Sequence, residues 1–225
     1  MHICFILVEP AVSENIGAAA RALKTMGFSD FRLVNPSNHL ADEAKWLAHG
    51  SHDILQNASV YKDFHESIKD LDFLIGTTAK NRSAKEDYYS PEEAKEIITK
   101  KKDILPKVGI VFGREESGLK NEELKICDIA STINLKNPYP SINLAQSVMI
   151  YAYVFSSLRM SEQIEAVYSK ENDRIFHELK KHTSALLHKL SIDKNSNLYH
   201  RILERIATVD CDDARLLLSI FKKIR

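Results

Sequence analysis

Short apolar runs alternate with helical spacing over the first two-thirds of the chain. Runs at 3–8, 31–34, 73–76, 108–112 and 129–134 are rich in apolar and β-branched residues and read as strands. Between them the spacing predicts helices over 14–26, 42–48, 64–69, 91–101 and 121–126. Strand and helix taking turns in this way predicts an α/β fold. Ser13 is the expected N-cap of the first helix, and Gly27 falls where a glycine closes a helix.

The stretch 142–158 predicts a helix of another kind. Leu144, Val148, Tyr151 and Phe155 line one face, while Ala145, Met149, Ala152 and Tyr153 occupy the flanks. Apolar residues on most sides imply burial on most sides, either in a deep core or at a subunit interface. Beyond about residue 159 the strand patterns stop. Ile175, Leu179, Leu186 and Leu190 repeat at helical spacing, 191–197 reads as a polar turn, and helices are predicted at 198–208 and 212–223. The expected organisation is an α/β domain over 1–158 followed by a small helical extension over 159–225.

Composition narrows the setting. The chain has 225 residues, 44% hydrophobic and 28% charged, enough to bury a real core. Cys4, Cys127 and Cys211 lie far apart and form no CxxC pair, so neither a disulfide framework nor a zinc site is expected. The N-terminal apolar run ends at Glu9-Pro10, too early for a signal peptide, and no stretch has the length of a membrane span. A cytoplasmic protein is expected. Basic and acidic residues balance at 31 each, so any nucleic-acid surface must concentrate its positive charge locally.

Three polar clusters carry candidate chemistry. The first is Glu14-Asn15-Ile16-Gly17-Ala18-Ala19-Ala20-Arg21. Here Gly17 costs a helix roughly 1 kcal/mol relative to alanine, and the small residues permit close backbone approach. Taken alone, the cluster reads as a capped amphipathic helix with an ordinary exposed arginine. The second is the loop Gly113-Arg114-Glu115-Glu116-Ser117-Gly118, which follows an apolar strand and can present backbone amides to a ligand or simply turn tightly. The third is Tyr139-Pro140-Ser141-Ile142-Asn143-Leu144, where Ser141 is a plausible N-cap and Asn143, if buried, needs partners. No GxGxxG fingerprint, P-loop or GxSxG elbow occurs, and His49 and His52 have no clear third ligand, so no metal is expected.

In order and strand context, these clusters resemble the three motifs of the SpoU branch of the SPOUT methyltransferases. The TrmJ/LasT subgroup is closer still, through Met26-Gly27-Phe28, Leu33-Val34-Asn35-Pro36, Ala48-His49-Gly50-Ser51 and Gly76-Thr77-Thr78-Ala79-Lys80-Asn81-Arg82. The resemblance implies a parallel sheet with a C-terminal deep trefoil knot, a homodimer, and S-adenosylmethionine as cofactor. It implies cofactor contacts from Thr77, Thr78, Ala79, Gly113, Gly118, Ile133, Leu135, Ser141, Ile142 and Asn143. Arg21 matches the arginine treated as catalytic, with Asn15, Glu115 and Ser141 around it, and RNA contacts fall to Lys80, Arg82 and Arg114.

The implied reaction is 2′-O-methylation of an RNA ribose, in tRNA before ribosomal RNA, at the anticodon-loop pyrimidine at position thirty-two. An arginine stays protonated, so Arg21 is expected to orient the ribose or a phosphate and stabilise oxyanion charge, with a phosphate or Glu115 accepting the proton. Two departures stand out. Lys80 occupies a place where relatives commonly carry arginine, and lysine lacks the fork geometry. Leu217-Leu218-Ser219 replaces a more polar stretch in the last helix. A catalytically silent RNA-binding dimer and a small-molecule methyltransferase remain as rival readings.

Overall fold

The computed structural model describes residues 1–80, 83–102, 104–137, 142–160, 173–221 and 223. Within them, β1 (His2–Val8), β2 (Phe31–Val34), β3 (Ser59–Tyr61), β4 (Phe73–Thr77), β5 (Tyr88–Tyr89), β6 (Lys107–Phe112) and β7 (Ile129–Ser131) form one sheet in the order β3-β2-β1-β6-β4-β7-β5. Every pairing is parallel. The central strands are covered on both faces, so β1 buries six consecutive residues after His2 and reads as a continuous apolar run. The five strands expected from such runs are present. Sequence reasoning missed β3 and β5, the two short edge strands, because half-exposed edges need no apolar run. Strand β7 also stops at Ser131, short of the expected 134, because the chain leaves the sheet after Thr132.

Helix α1 (Ser13–Thr25) corrects one expectation. Its N-cap is Val12 and makes no side-chain cap; the Ser13 hydroxyl instead donates to the Asn38 carbonyl at 2.9 Å. The C-terminus behaves as expected. Gly27 takes φ 81°, and the amides of Phe28 and Gly27 reach back to the carbonyls of Leu23 and Lys24 at 2.8 and 3.0 Å, the Schellman arrangement. Gly17 has a packing reason: a Cβ there would overlap the backbone of Ala44 on α2 (Asp42–Ala48), so glycine lets the two helices touch. Short helices α3 (His52–Gln56) and α4 (Phe64–Ile68) follow, the first of them not expected. Then come α5 (Pro91–Thr99), with a Ser90–Glu93 capping box and proline in its first turn, and α6 (Asn121–Ile126).

Helix α7 (Leu144–Met160) lies against the sheet. Val148, Tyr151, Ala152 and Phe155 are at most 1% exposed. The Tyr151 ring meets Phe112 edge-on at 5.4 Å, and its hydroxyl donates to Ser131 Oγ at 2.7 Å. Tyr153 on the opposite side is 66% exposed. The chain ends in α8 (Asp173–Lys189), α9 (Asn197–Ala207) and α10 (Cys211–Phe221). Phe176 of α8 joins the main core beside Phe73, with ring centroids 6.0 Å apart, so the extension is seated on the α/β part.

Candidate active site

Four contiguous strands, β1, β6, β4 and β7, send their carboxyl ends to the same edge of the sheet. The loops that leave them are 9–12, 113–120, 78–80 and 132–137, and they carry most of the expected site residues. Ligands of open parallel sheets bind in such crevices.

The loop after β6 is pinched at its neck. Arg114 and Gly118 exchange backbone hydrogen bonds of 3.2 and 2.9 Å, and Gly118 has φ 68°. A Cβ on Gly113 would overlap the Gly118 carbonyl group and the Leu119 nitrogen. Both glycines are therefore required by geometry, one for space and one for backbone hand.

Glu115 leaves this neck toward α1. Its carboxylate accepts from the amides of Ala11 and Val12 at 3.0 and 3.2 Å and from Asn15 Nδ2 at 3.0 Å. Asn15 in turn accepts from Asn143 Nδ2 at 2.8 Å through its Oδ1. Asn143 Oδ1 accepts from the Ala145 and Gln146 amides at 2.9 and 3.4 Å, so Asn143 is the N-cap of α7. That corrects the expected helix start, and Asn143 is exposed rather than buried. One hydrogen-bonded chain, Glu115–Asn15–Asn143, thus ties together three motifs set 100 and 128 residues apart.

The electrostatics assign the carboxylate a fixed charge. Burial alone would lift the Glu115 carboxyl, but the Asn15 amide and the Ala11 and Val12 N–H groups outweigh it and hold it below the ordinary value. With three donors already on it and its proton affinity lowered, Glu115 is poorly suited to accept a proton. It orients Asn15 instead.

Arg21 is exposed on α1, one and a half to two turns beyond Asn15. Among the described residues no hydrogen bond or ion pair engages its guanidinium. Arg114 turns inward, against the expectation that it meets RNA. Its Nη atoms form a fork on Glu123 at 3.0 and 2.9 Å, Nε donates to Glu9 at 2.7 Å, and Nη1 also reaches the Gly118 carbonyl at 3.3 Å. A guanidinium already bound to two carboxylates has little left to offer a phosphate. Hydrogen bonding from Arg114 leads the forces that hold Glu9 below the ordinary carboxylate range. Glu9 and Glu123 were missed in the sequence. Neither lies inside one of the three polar clusters, so no local pattern marked them.

On the other side of the neck, Thr77 Oγ1 donates to the Val111 carbonyl at 2.9 Å, and the Thr78 amide donates to the Ser131 carbonyl at 3.0 Å. Ala79 and Lys80 are exposed, Ile133 packs partly buried on the main core, and Leu135 is 37% exposed. Ile142 is half-buried just before the cap of α7. Ser141 and Arg82 lie outside the described residues. His52 Nε2 sits 3.0 Å from the Lys45 carbonyl, and no metal-binding group of His, Cys, Asp or Glu occurs among the described residues.

The SpoU rRNA Methylase family profile matches residues 2–153. The chain belongs to the SpoU methylase family. LasT of Escherichia coli, named an uncharacterized tRNA/rRNA methyltransferase, is 38% identical to this SpoU chain over 217 residues, covering 96% of it and 94% of LasT. TrmJ of Methanocaldococcus jannaschii, named a tRNA (cytidine-2'-O-)-methyltransferase, is 31% identical over 233 residues, covering 98% of each. The solved structure of a probable methylase family protein from Haemophilus influenzae matches the SpoU chain with a TM-score of 0.69 at 30% identity, over 99% of this chain and 95% of that one.

Proposed function

We propose that this SpoU protein transfers a methyl group from S-adenosylmethionine to a ribose 2′-hydroxyl of tRNA, at the anticodon-loop pyrimidine at position thirty-two. The observation that carries the reading is the Glu115–Asn15–Asn143 chain, which gathers all three motifs at the carboxyl edge of the sheet. Around it the residues fit an adenosyl group. Ile133, Leu135 and Ile142 offer apolar contact, the neck at Gly113 and Gly118 allows close approach, and Thr77, Thr78 and Ala79 border the same crevice. Ser141 completes the set in this reading.

When bound, the cofactor supplies an electrophilic methyl on a sulfonium. The residues of the chain do the rest. Asn15, fixed at both ends of its amide, holds a polar group at the start of α1, and Arg21 places a permanent positive charge where the ribose oxygen gains negative charge. The hydroxyl proton would leave to an RNA phosphate or solvent, since Glu115 is engaged by the Ala11 and Val12 amides and by Asn15. Lys80, exposed beside the crevice, and Arg82 serve the RNA backbone.

In the same reading the chain past β7 is threaded as a deep trefoil knot, residues 1–158 form the methyltransferase domain, and 159–225 form its helical extension. Two copies pair across the apolar helix α7, whose exposed Tyr153 needs cover, and the protein works in the cytoplasm. Tritium transfer from labelled S-adenosylmethionine to total tRNA and to ribosomal RNA, with Arg21→Ala as control, tests the function. Label in tRNA that resists alkaline cleavage and vanishes in the variant supports it. Label in ribosomal RNA alone moves the target, and no label in either with the cofactor still bound points to a silent RNA binder.

A further inference from the structure

Beside the apolar seating of Phe176 and Ala207 in the main core, the helical extension touches the crevice's supports through charge. Arg201 on α9 pairs with Glu86 through Nε at 2.9 Å and with Asp87 through Nη1 at 2.8 Å. Arg205, one turn on, pairs with the same Asp87 at 3.1 Å. Two arginines thus grip the two residues that precede β5. Beneath them the Lys85 ammonium donates to the Cys127 carbonyl at 2.7 Å, near the Glu204 carboxyl of α9, which is 3% exposed. On α8, Lys180 pairs with Asp128, whose other oxygen accepts from the Leu74 amide at 2.7 Å at the start of β4.

What the grip holds matters for the site. β5 is a two-residue edge strand, paired among the described residues only to β7. A ladder that short has little stability of its own. Yet the Tyr89 carbonyl accepts from the Thr132 amide at 2.9 Å, and Ser131, its neighbour on β7, accepts from the Thr78 amide at 3.0 Å. Thr132 is the residue from which the 133–135 segment departs. A β5 that drifts from β7 therefore releases one anchor of the segment carrying Ile133 and Leu135.

We infer that Arg201, with Arg205, is a positioning residue for the cofactor crevice: through Glu86 and Asp87 it clamps β5 on β7 and fixes the Thr132–Leu135 segment. The extension then acts on the methyl donor's site from behind, in addition to anything it does with RNA. The inference rests on the crevice being the S-adenosylmethionine site, and the experiment separates the two.

S-adenosylhomocysteine binding to the full-length protein is measured by calorimetry for wild type, Arg201→Ala, Asp87→Asn and the double variant, alongside thermal unfolding. If wild type does not bind, the proposed function fails first. If it binds, each single variant should weaken binding about three- to tenfold, and the double variant little more, as expected for residues of one network. In steady-state assays KM for the cofactor should rise more than kcat falls. Asp87→Asn keeps shape on the α/β side, so it guards against an Arg201 variant that folds poorly. Unchanged affinity in a folded Asp87→Asn or Arg201→Ala protein overturns the clamp, and so does strictly additive loss in the double variant.

Discussion

Glu115→Gln removes a charge and changes almost nothing in shape, so it isolates what the carboxylate does. Three donors point at it: the Ala11 and Val12 amides and Asn15 Nδ2, at 3.0, 3.2 and 3.0 Å. A glutamine side chain has one oxygen to accept and one NH2 that must donate. With its oxygen toward Val12 and Asn15, its NH2 faces the Ala11 amide, donor against donor. The two surviving bonds fall from charge-assisted to neutral strength, about 1 kcal/mol each, and the lost one adds a similar amount. Solvent reaches part of this site and discounts the sum, so the expected destabilisation is about 1–2 kcal/mol at pH 7. Urea unfolding of the two proteins measures it. The folded Glu115 carboxyl lies below its ordinary value of 4.5, so its stabilisation is complete above that pH and declines as pH falls through the lower, folded value. The gap between wild type and variant should accordingly be flat from pH 7 to about 5 and narrow below 4.5. A variant as stable as wild type at pH 7, or a gap that widens in acid, would refute the fixed-charge role.

Three further outcomes are expected. Arg21→Lys should leave stability within about 0.5 kcal/mol, since Arg21 is exposed without a described side-chain partner, while turnover on RNA falls about a hundredfold or more; wild-type turnover with intact RNA binding would rule out a role for guanidinium geometry. Gly17→Val should cost about 1–3 kcal/mol or more by prising α1 from α2, because the new Cβ overlaps the Ala44 backbone, and differential scanning calorimetry reads it directly. Arg114→Met strands Glu9 and Glu123 and should cost about 2–3 kcal/mol in denaturant unfolding, with RNA affinity little changed if the inward geometry is right; a salt-dependent loss of RNA binding without loss of stability would return Arg114 to the RNA surface.

Much of the sheet was legible because burial on both faces writes itself as uninterrupted apolar runs, as in residues 3–8 and 108–112. β3 and β5 were not legible, because Ser59–Tyr61 and Tyr88–Tyr89 gain their strand character from a neighbour rather than from their own pattern. In the site, the residue types could be read but their joins could not. Nothing local in Asn143 says that it caps α7 and also reaches Asn15, 128 positions away. Arg114 shows the opposite failure. A charged residue in a glycine-bounded loop looks exposed, and only the fold supplies Glu9, 105 residues distant, to turn it inward.

The neighbouring pair Arg114 and Glu115 shows how a chain of zero net charge can build such a site. From one pinched neck the arginine grips Glu9 at the end of β1, and the glutamate grips the amides of Ala11 and Val12 two and three residues later. Opposite charges thus fasten the β6 loop to successive points of the β1–α1 turn, where Glu9 takes a left-handed backbone with φ 49°. Such a conformation costs a non-glycine residue free energy and persists where the surroundings hold it in place. The Glu9 amide's bond to the Val34 carbonyl at 2.8 Å and the Arg114 bond to its side chain supply that hold. Arg114, Glu9, Glu115 and Glu123 are thus engaged internally, while Arg21 and Lys80 are exposed. Local sign at the crevice, rather than the sum over the chain, is what an RNA ribose and its phosphates would encounter.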